Sequence, residues 1–198
     1  MASSETSSTL IGALWSVDAG TTRLEKLFRI TVLALAGTAL LAISAQISVP
    51  MWPVPMTMQT FAVVLIGAAY GWRLGGATVA LYLAEGAMGL PVFANAGSVA
   101  SLVGPTAGYL FAFVAAAAAV GALVEKGWGR SLFKTTLAMT LGTAMIFAGG
   151  VAWLSTFTGV EKALFVGMYP FLVGGAVKIA LAVAVLPMAW KLVGKIRK

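Results

Sequence analysis

Six apolar runs, each of roughly 20 residues, make up most of this chain, and only two ionisable side chains, Glu85 and Lys178, fall well inside them. A run of that length with so little charge reads as a membrane-spanning helix. Composition closes off the soluble alternative. Hydrophobic residues are 60% and charged residues 10% of the 198, whereas an ordinary soluble domain carries about 25% charged residues. A single globular domain of this length has too little interior to hide so much apolar surface. The expected fold class is therefore an all-α integral membrane protein, a six-transmembrane-helix bundle.

The spans are read at 27–48, 57–71, 74–89, 105–125, 131–156 and 171–193. The second and third are linked by GWRLG alone. Three prolines in PMWPVPM (50–56) preclude a regular helix there. Residues 90–104 read as an uncharged loop punctuated by Gly and Pro, and 157–170 as a loop or short helix. A single transmembrane domain is expected over 23–198, preceded by an N-terminal tail over 1–22, disordered across 1–9. Leu10 to Val17 is read as lying along the membrane surface. No basic stretch precedes the first apolar segment, so no signal peptide is expected.

Charge then sets orientation. With the N-terminus inside, one face collects Arg23, Lys26, Arg29, Arg73, Lys126, Arg130, Lys134, Lys191, Lys195, Arg197 and Lys198, eleven of the 13 Lys and Arg. Positive residues favour the cytoplasmic side, which places both termini in the cytoplasm. A net charge of +7 distributed in this way fits membrane orientation rather than nucleic acid. The opposite face is built from 49–56, 90–104 and 157–170. Irregular backbone at membrane depth is tolerated where protein buries it or where it lines a cavity. A ligand pocket opening to the outer face is the reading set against plain connectors.

Absent residue types narrow the chemistry. With His 0 and Cys 0, imidazole bases, thiolate nucleophiles, disulfides and His/Cys metal sites are excluded. No phosphate-cradling G-x-x-x-x-G-K-[ST] loop is present, so ATP hydrolysis by this chain is not expected. An intramembrane charge is costly and usually faces the bundle interior. Lys178, in the outer half of the sixth span, suits a ligand carboxylate or polar carbonyl. The rival is a structural ion pair with Glu85. Near the outer loops stand polar groups including Gln59, Asn95 and Tyr109, with Trp52, Phe93 and Tyr82 as flat apolar walls. Small residues recur every fourth position at Ala34, Thr38 and Ala42, at Gly67, Gly71 and Gly75, and at Gly104 and Gly108. Such faces permit close helix approach. The last two sets read as packing within the chain, and the first as a face open to a partner.

Five strings carry a further likeness: VPMTMQ (54–59), GWRLGG (71–76), YLAEGAMGLPVFAN (82–95), GPTAGYL (104–110) and PFLVGGAVK (170–178). In this order they resemble the biotin-specific substrate-binding component of energy-coupling factor transporters, from about residue 29 to 190. The resemblance implies a six-helix bundle that captures biotin from outside. It implies association with a transmembrane coupling subunit and two cytoplasmic ATPase subunits, where ATP would bind, and no cofactor on this chain. It places the protein in a bacterial cytoplasmic membrane. Asn95 and Lys178 fall at the family's asparagine and lysine, and Ala34, Thr38 and Ala42 resemble its docking face. Tyr82, Trp52, Phe93, Gln59, Tyr109 and Glu85 complete the expected ligand-binding set. Gly175 stands where the family pattern carries an aspartate. Other readings left open by the residues are a binding component for another vitamin, a self-contained secondary transporter, a membrane-embedded enzyme and a scaffold without ligand.

Overall fold

The computed structural model describes residues 9–15 and 20–196. The expectation of disorder over 1–9 lies outside the described residues except at Thr9. Among the described residues seven α-helices follow in order: α1 (Leu10–Leu14), α2 (Arg23–Gln46), α3 (Gln59–Ala87), α4 (Ala107–Glu125), α5 (Leu132–Thr158), α6 (Val160–Gly167) and α7 (Tyr169–Ile196). A two-residue hairpin, β1 (Ser48–Val49) with β2 (Met56–Thr57), joins α2 to α3, with Ser48 opposite Thr57. Two short 3₁₀ turns, Ala94–Ala96 and Val99–Leu102, fill the link between α3 and α4. Among the described residues, α2, α3, α4, α5 and α7 are long and apolar enough to cross a membrane.

Local chemistry explains the helix ends. Thr22 and Glu25 form a reciprocal capping box, which starts α2 at Arg23, four residues before the expected boundary. Gly127, at φ +87°, ends α4, and its N–H closes on the Val124 carbonyl at 2.8 Å. Pro187 lies inside α7. Membrane helices tolerate such a proline because neighbouring groups re-satisfy the freed carbonyl.

The link expected at GWRLG narrows to one residue: the backbone is helical on both sides, and Gly71 at φ +83° and ψ +178° breaks the geometry. Only glycine adopts that conformation without steric cost. The chain folds back at this point. In an unbroken helix residues 59 and 82 would stand about 34 Å apart, yet Gln59 Nε2 lies 2.8 Å from the Tyr82 hydroxyl. Gly67 and Gly75 face each other across the fold-back so closely that a Cβ on Gly75 would lie 3.0 Å from the Gly67 Cα. This glycine series is thus packing within the chain, as its spacing indicates.

The core falls into two clusters. One gathers Tyr82, Phe93, Tyr109, Phe113, Ile146 and Phe171 with their neighbours. The other gathers Leu10, Ala13, Val64, Ala68, Val120, Val124, Met139, Ala182 and Leu186. Leu10 and Ala13, each 5% exposed, belong to the second. Residues 10–14 form α1, which packs against α3 and α7 through Leu10 and Ala13, while Leu14 and the adjoining Trp15 stay exposed. Arg29 reinforces this by donating to the Ile11 carbonyl at 3.1 Å. Residues 16–17 of the segment expected along the membrane surface lie outside the described residues.

In the first long helix Thr38 is 4% exposed, and Ala34 and Ala42 are half-buried. Gly37, beside Thr38, packs against Thr78 and Tyr70 of α3. The Ala34/Thr38/Ala42 stripe faces the bundle, where α2 comes close to α3. Ala34 and Ala42 keep part of their surface exposed.

Candidate ligand-binding site

At the end of the bundle away from Gly71, a cavity of about 310 Å³ lies among α3, α4, α5, α7 and the segments 53–57 and 93–106. That volume lies at the lower end of the range for small-molecule sites, about 300–1,000 Å³. Its walls are largely apolar, with Phe93, Leu110, Phe113, Phe147 and Phe171 among the lining side chains. Thr57, Gln59, Thr60, Asn95, Ser101, Thr106 and Lys178 place polar groups around it.

Lys178 supplies the one cation in this lining. Its ammonium donates to the Thr57 carbonyl at 2.6 Å and to the Thr60 hydroxyl at 3.2 Å. No ion pair with Glu85 occurs among the described residues, so the rival structural pairing is not what holds this lysine. Neutral oxygens from β2 and the first turn of α3 do. An ammonium has three donors, and these two contacts leave the third for the cavity. Gly175, one helical turn before Lys178, also lines the cavity, and a Cβ there would meet Phe147 at 3.6 Å. The position that the resemblance assigns to an aspartate is thus on the cavity wall and carries no side chain.

Asn95 reaches the lining from a backbone in the left-handed region, φ +56°, followed by Ala96 at the same φ. A non-glycine residue seldom adopts such a conformation unless the surroundings over-determine it. Several contacts hold this segment. The Phe93 N–H donates to the Gly97 carbonyl at 2.9 Å. The Phe93 ring, 1% exposed, presses on Gly86 and meets Tyr82 edge-on at 5.2 Å between centroids.

The other expected residues divide. Gln59 and Tyr109 line the cavity, but each has polar commitments inside the protein. Gln59 accepts from the Thr57 hydroxyl at 3.1 Å and donates to Tyr82 at 2.8 Å. Tyr109 packs on Gly150 and donates to the Gly167 carbonyl at 2.7 Å. Tyr82 is not a cavity wall: it is fully buried behind Phe93, and its hydroxyl donates to the Val92 carbonyl at 2.8 Å. Trp52 is 82% exposed and lies outside the lining, because the hairpin turns its side chain away while Pro53, Val54 and Pro55 face inward. Glu85 also lies outside the lining. Sequence reasoning missed Thr60, Phe113, Phe147 and Phe171. Thr60 directly follows VPMTMQ and Phe171 lies within PFLVGGAVK; Phe113 and Phe147 carry no signal that separates them from other aromatic residues in apolar runs.

The geometry defines a membrane-embedded protein with a small-molecule cavity at one end of its helices. Its class is settled by likeness along nearly the whole chain: residues 15–195 match the BioY family, and the chain belongs to that family. It is 40% identical over 148 residues to the "Probable biotin transporter BioY" of Pyrococcus horikoshii, covering 74% of this chain and 87% of that one. It is 43% identical to the "Biotin transporter BioY" of Thermotoga maritima, covering 73% and 86% respectively. Its fold is similar to a crystal structure of the S-component for biotin from an ECF-type ABC transporter, at TM-score 0.74 and 25% identity, over 86% of this chain and 95% of that one.

Proposed function

We propose that this chain is the biotin-binding membrane component of an energy-coupling factor type uptake transporter and not an enzyme. The observation that carries the reading is one cavity, of ligand size, lined by aromatic rings, with Asn95 and the Lys178 ammonium in its wall, in a chain matched to the BioY family over 15–195. Biotin's fused rings require apolar contact, its ureido group requires donors and acceptors, and its carboxylate favours a cation or N–H donors. Asn95 and Lys178 are the proposed polar contacts, with Phe93 and Tyr109 as walls.

Six membrane crossings follow if the two arms of α3, on either side of Gly71, are counted separately. The fold-back and the Gln59–Tyr82 contact support that count. The end of the bundle bearing Gly71 gathers basic residues: Arg29 reaches Ile11, Arg73 stacks on Trp72 at 5.0 Å, and Arg130 stacks on Trp190 at 5.2 Å. That end is assigned to the cytoplasm, with both termini, and the cavity to the outer face of the cytoplasmic membrane. A transmembrane coupling subunit and two ATPase subunits are the proposed partners, with ATP bound on them and no cofactor on this chain.

Titration of purified protein with biotin and with unrelated vitamins tests the ligand. Saturable binding of biotin alone is expected, and its absence overturns the reading. The orientation has its own test, aided by the Cys-free sequence. Single cysteines at Ser98 and Ser131 should react with an impermeant reagent from opposite sides of the membrane. Labelling of both from outside would refute the topology.

A further inference from the structure

The cavity's two polar walls are joined by hydrogen bonds that run behind it. Lys178 donates to the carbonyl of Thr57. The hydroxyl of the same Thr57 donates to Gln59 Oε1 at 3.1 Å, Gln59 Nε2 donates to the Tyr82 hydroxyl at 2.8 Å, and Tyr82 donates to the Val92 carbonyl at 2.8 Å. One residue on, the Phe93 carbonyl accepts from Gln46 Nε2 of α2 at 3.0 Å. Every donor in this series points the same way, so the amide orientation of Gln59 and the hydroxyl rotor of Tyr82 are fixed by their neighbours. The segment so held carries Asn95 and Ala96, both at φ +56°.

We infer that Tyr82 and Gln46 are positioning residues for the ligand site: they hold residues 92–97 by two consecutive backbone carbonyls and so aim Asn95 into the cavity without themselves touching the ligand. Tyr82 is fully buried and outside the lining, and Gln46 is exposed and outside it. Neither can act by direct contact. The left-handed backbone at 95–96 is costly and needs such external support. Tyr82→Phe keeps the ring against Phe93 but removes one hydroxyl, which strands the Val92 carbonyl and the Gln59 amide. The 92–97 segment then relaxes, and Asn95 no longer holds its aim.

The inference rests on the biotin reading for one of its two measurements only. The first needs no ligand. In the Cys-free chain, the maleimide reaction rate of Ser98→Cys should rise at least fivefold on adding Tyr82→Phe, while Ala138→Cys, fully buried in α5, stays unreactive. An unchanged rate at Ser98, or a rise at both positions, overturns the inference, the latter because it marks general loosening. The second is biotin affinity in a double-mutant cycle. Tyr82→Phe should weaken binding about fivefold in the wild-type background and cause no further loss in Asn95→Ala. Losses that multiply would show that Tyr82 does not act through Asn95. Should Tyr82→Phe not fold, Gln46→Ala at its exposed position takes its place under the same criteria. A wild type that does not bind biotin refutes the functional reading, and the labelling rates still decide the positioning role.

Discussion

The two ends of this bundle are built from the same helices to opposite purposes. At the Gly71 end, backbone meets backbone. Gly67 packs on the Ala117 carbonyl, and Gly121 of α4 sits so close to the fold-back that a Cβ would lie 2.5 Å from Gly71 C and Trp72 N. The Glu125 carboxylate accepts the Trp72 N–H at 3.1 Å, and α1 fills the remaining gap with Leu10 and Ala13. At the cavity end α4 and α5 still meet closely at Gly108 and Gly149, but aromatic rings fill the space around the site: Tyr109 against Gly150, Phe93 against Gly86, and Phe147 beside Phe171 at 6.3 Å between centroids. In lipid no hydrophobic force separates these designs, since the tails are as apolar as the side chains, so packing and hydrogen bonding decide. Small residues make the closed base. Large rings with polar groups between them make the open site. A rigid base lets the site's polar groups be placed without collapse of the space between them.

Adding volume breaks the base first. Gly121→Leu forces carbon into a backbone that cannot yield, and overpacking of this kind costs about 3 kcal/mol. Folded protein should be lost or its thermal transition sharply lowered in detergent. Gly175→Ala at the cavity wall should leave the transition where it is, because the new Cβ makes an ordinary 3.6 Å contact with Phe147. Equal destabilisation by both changes would erase the distinction between the two ends.

Removing charge from the open end comes next in size. Lys178→Ala should weaken biotin binding about tenfold or more, since a hydrogen bond to a charged group contributes roughly 1.5–3 kcal/mol and 1.4 kcal/mol is a factor of ten. The protein should stay folded, because the ammonium is held by Thr57 and Thr60 rather than by a buried carboxylate. Affinity within twofold of wild type in a folded Lys178→Ala protein would remove the lysine from the ligand's contacts.

How much of this is legible in the sequence differs between the ends for a physical reason. The spans are legible because length and charge are one-dimensional properties. Small-xxx-small spacing marks close packing at Gly67 and Gly75, and packing is what it delivers. Direction is another matter. The Ala34/Thr38/Ala42 stripe has the right spacing for close contact, but every face of a membrane helix is apolar, so periodicity cannot tell a face toward α3 from a face toward a partner. The fold-back is legible as a position, since the second and third spans part at GWRLG, but not as geometry: Trp72, Arg73 and Leu74 all suit a helix, and the break rests on the φ of Gly71 alone. In the site, Asn95 and Lys178 stand out as polar groups within recognisable strings. Tyr82 and Phe93 lie in one such string too, yet nothing in it says which ring faces the cavity and which stands behind.

Glu85 gives the smallest expected effect and the sharpest limit on the open end. It is half-buried in the second arm of α3, one turn before Leu90, outside the cavity lining and without an ion pair among the described residues. Its neighbour on the helix, Tyr82, spends its hydroxyl on Val92 and Gln59 rather than on the carboxylate. Glu85→Gln should therefore shift biotin affinity by less than about twofold and leave the thermal transition near that of the wild type, in keeping with a substitution that breaks no described contact. The rival pairing predicts otherwise. If Glu85 neutralised Lys178, Glu85→Gln and Lys178→Ala would each destabilise the protein, and the double variant would recover part of the loss. Thermal transitions of the two single variants and the double variant, measured without ligand, decide between them. Recovery in the double variant would make Lys178 a structural cation and move the ligand's polar contacts to Asn95 and the threonines beside Gln59.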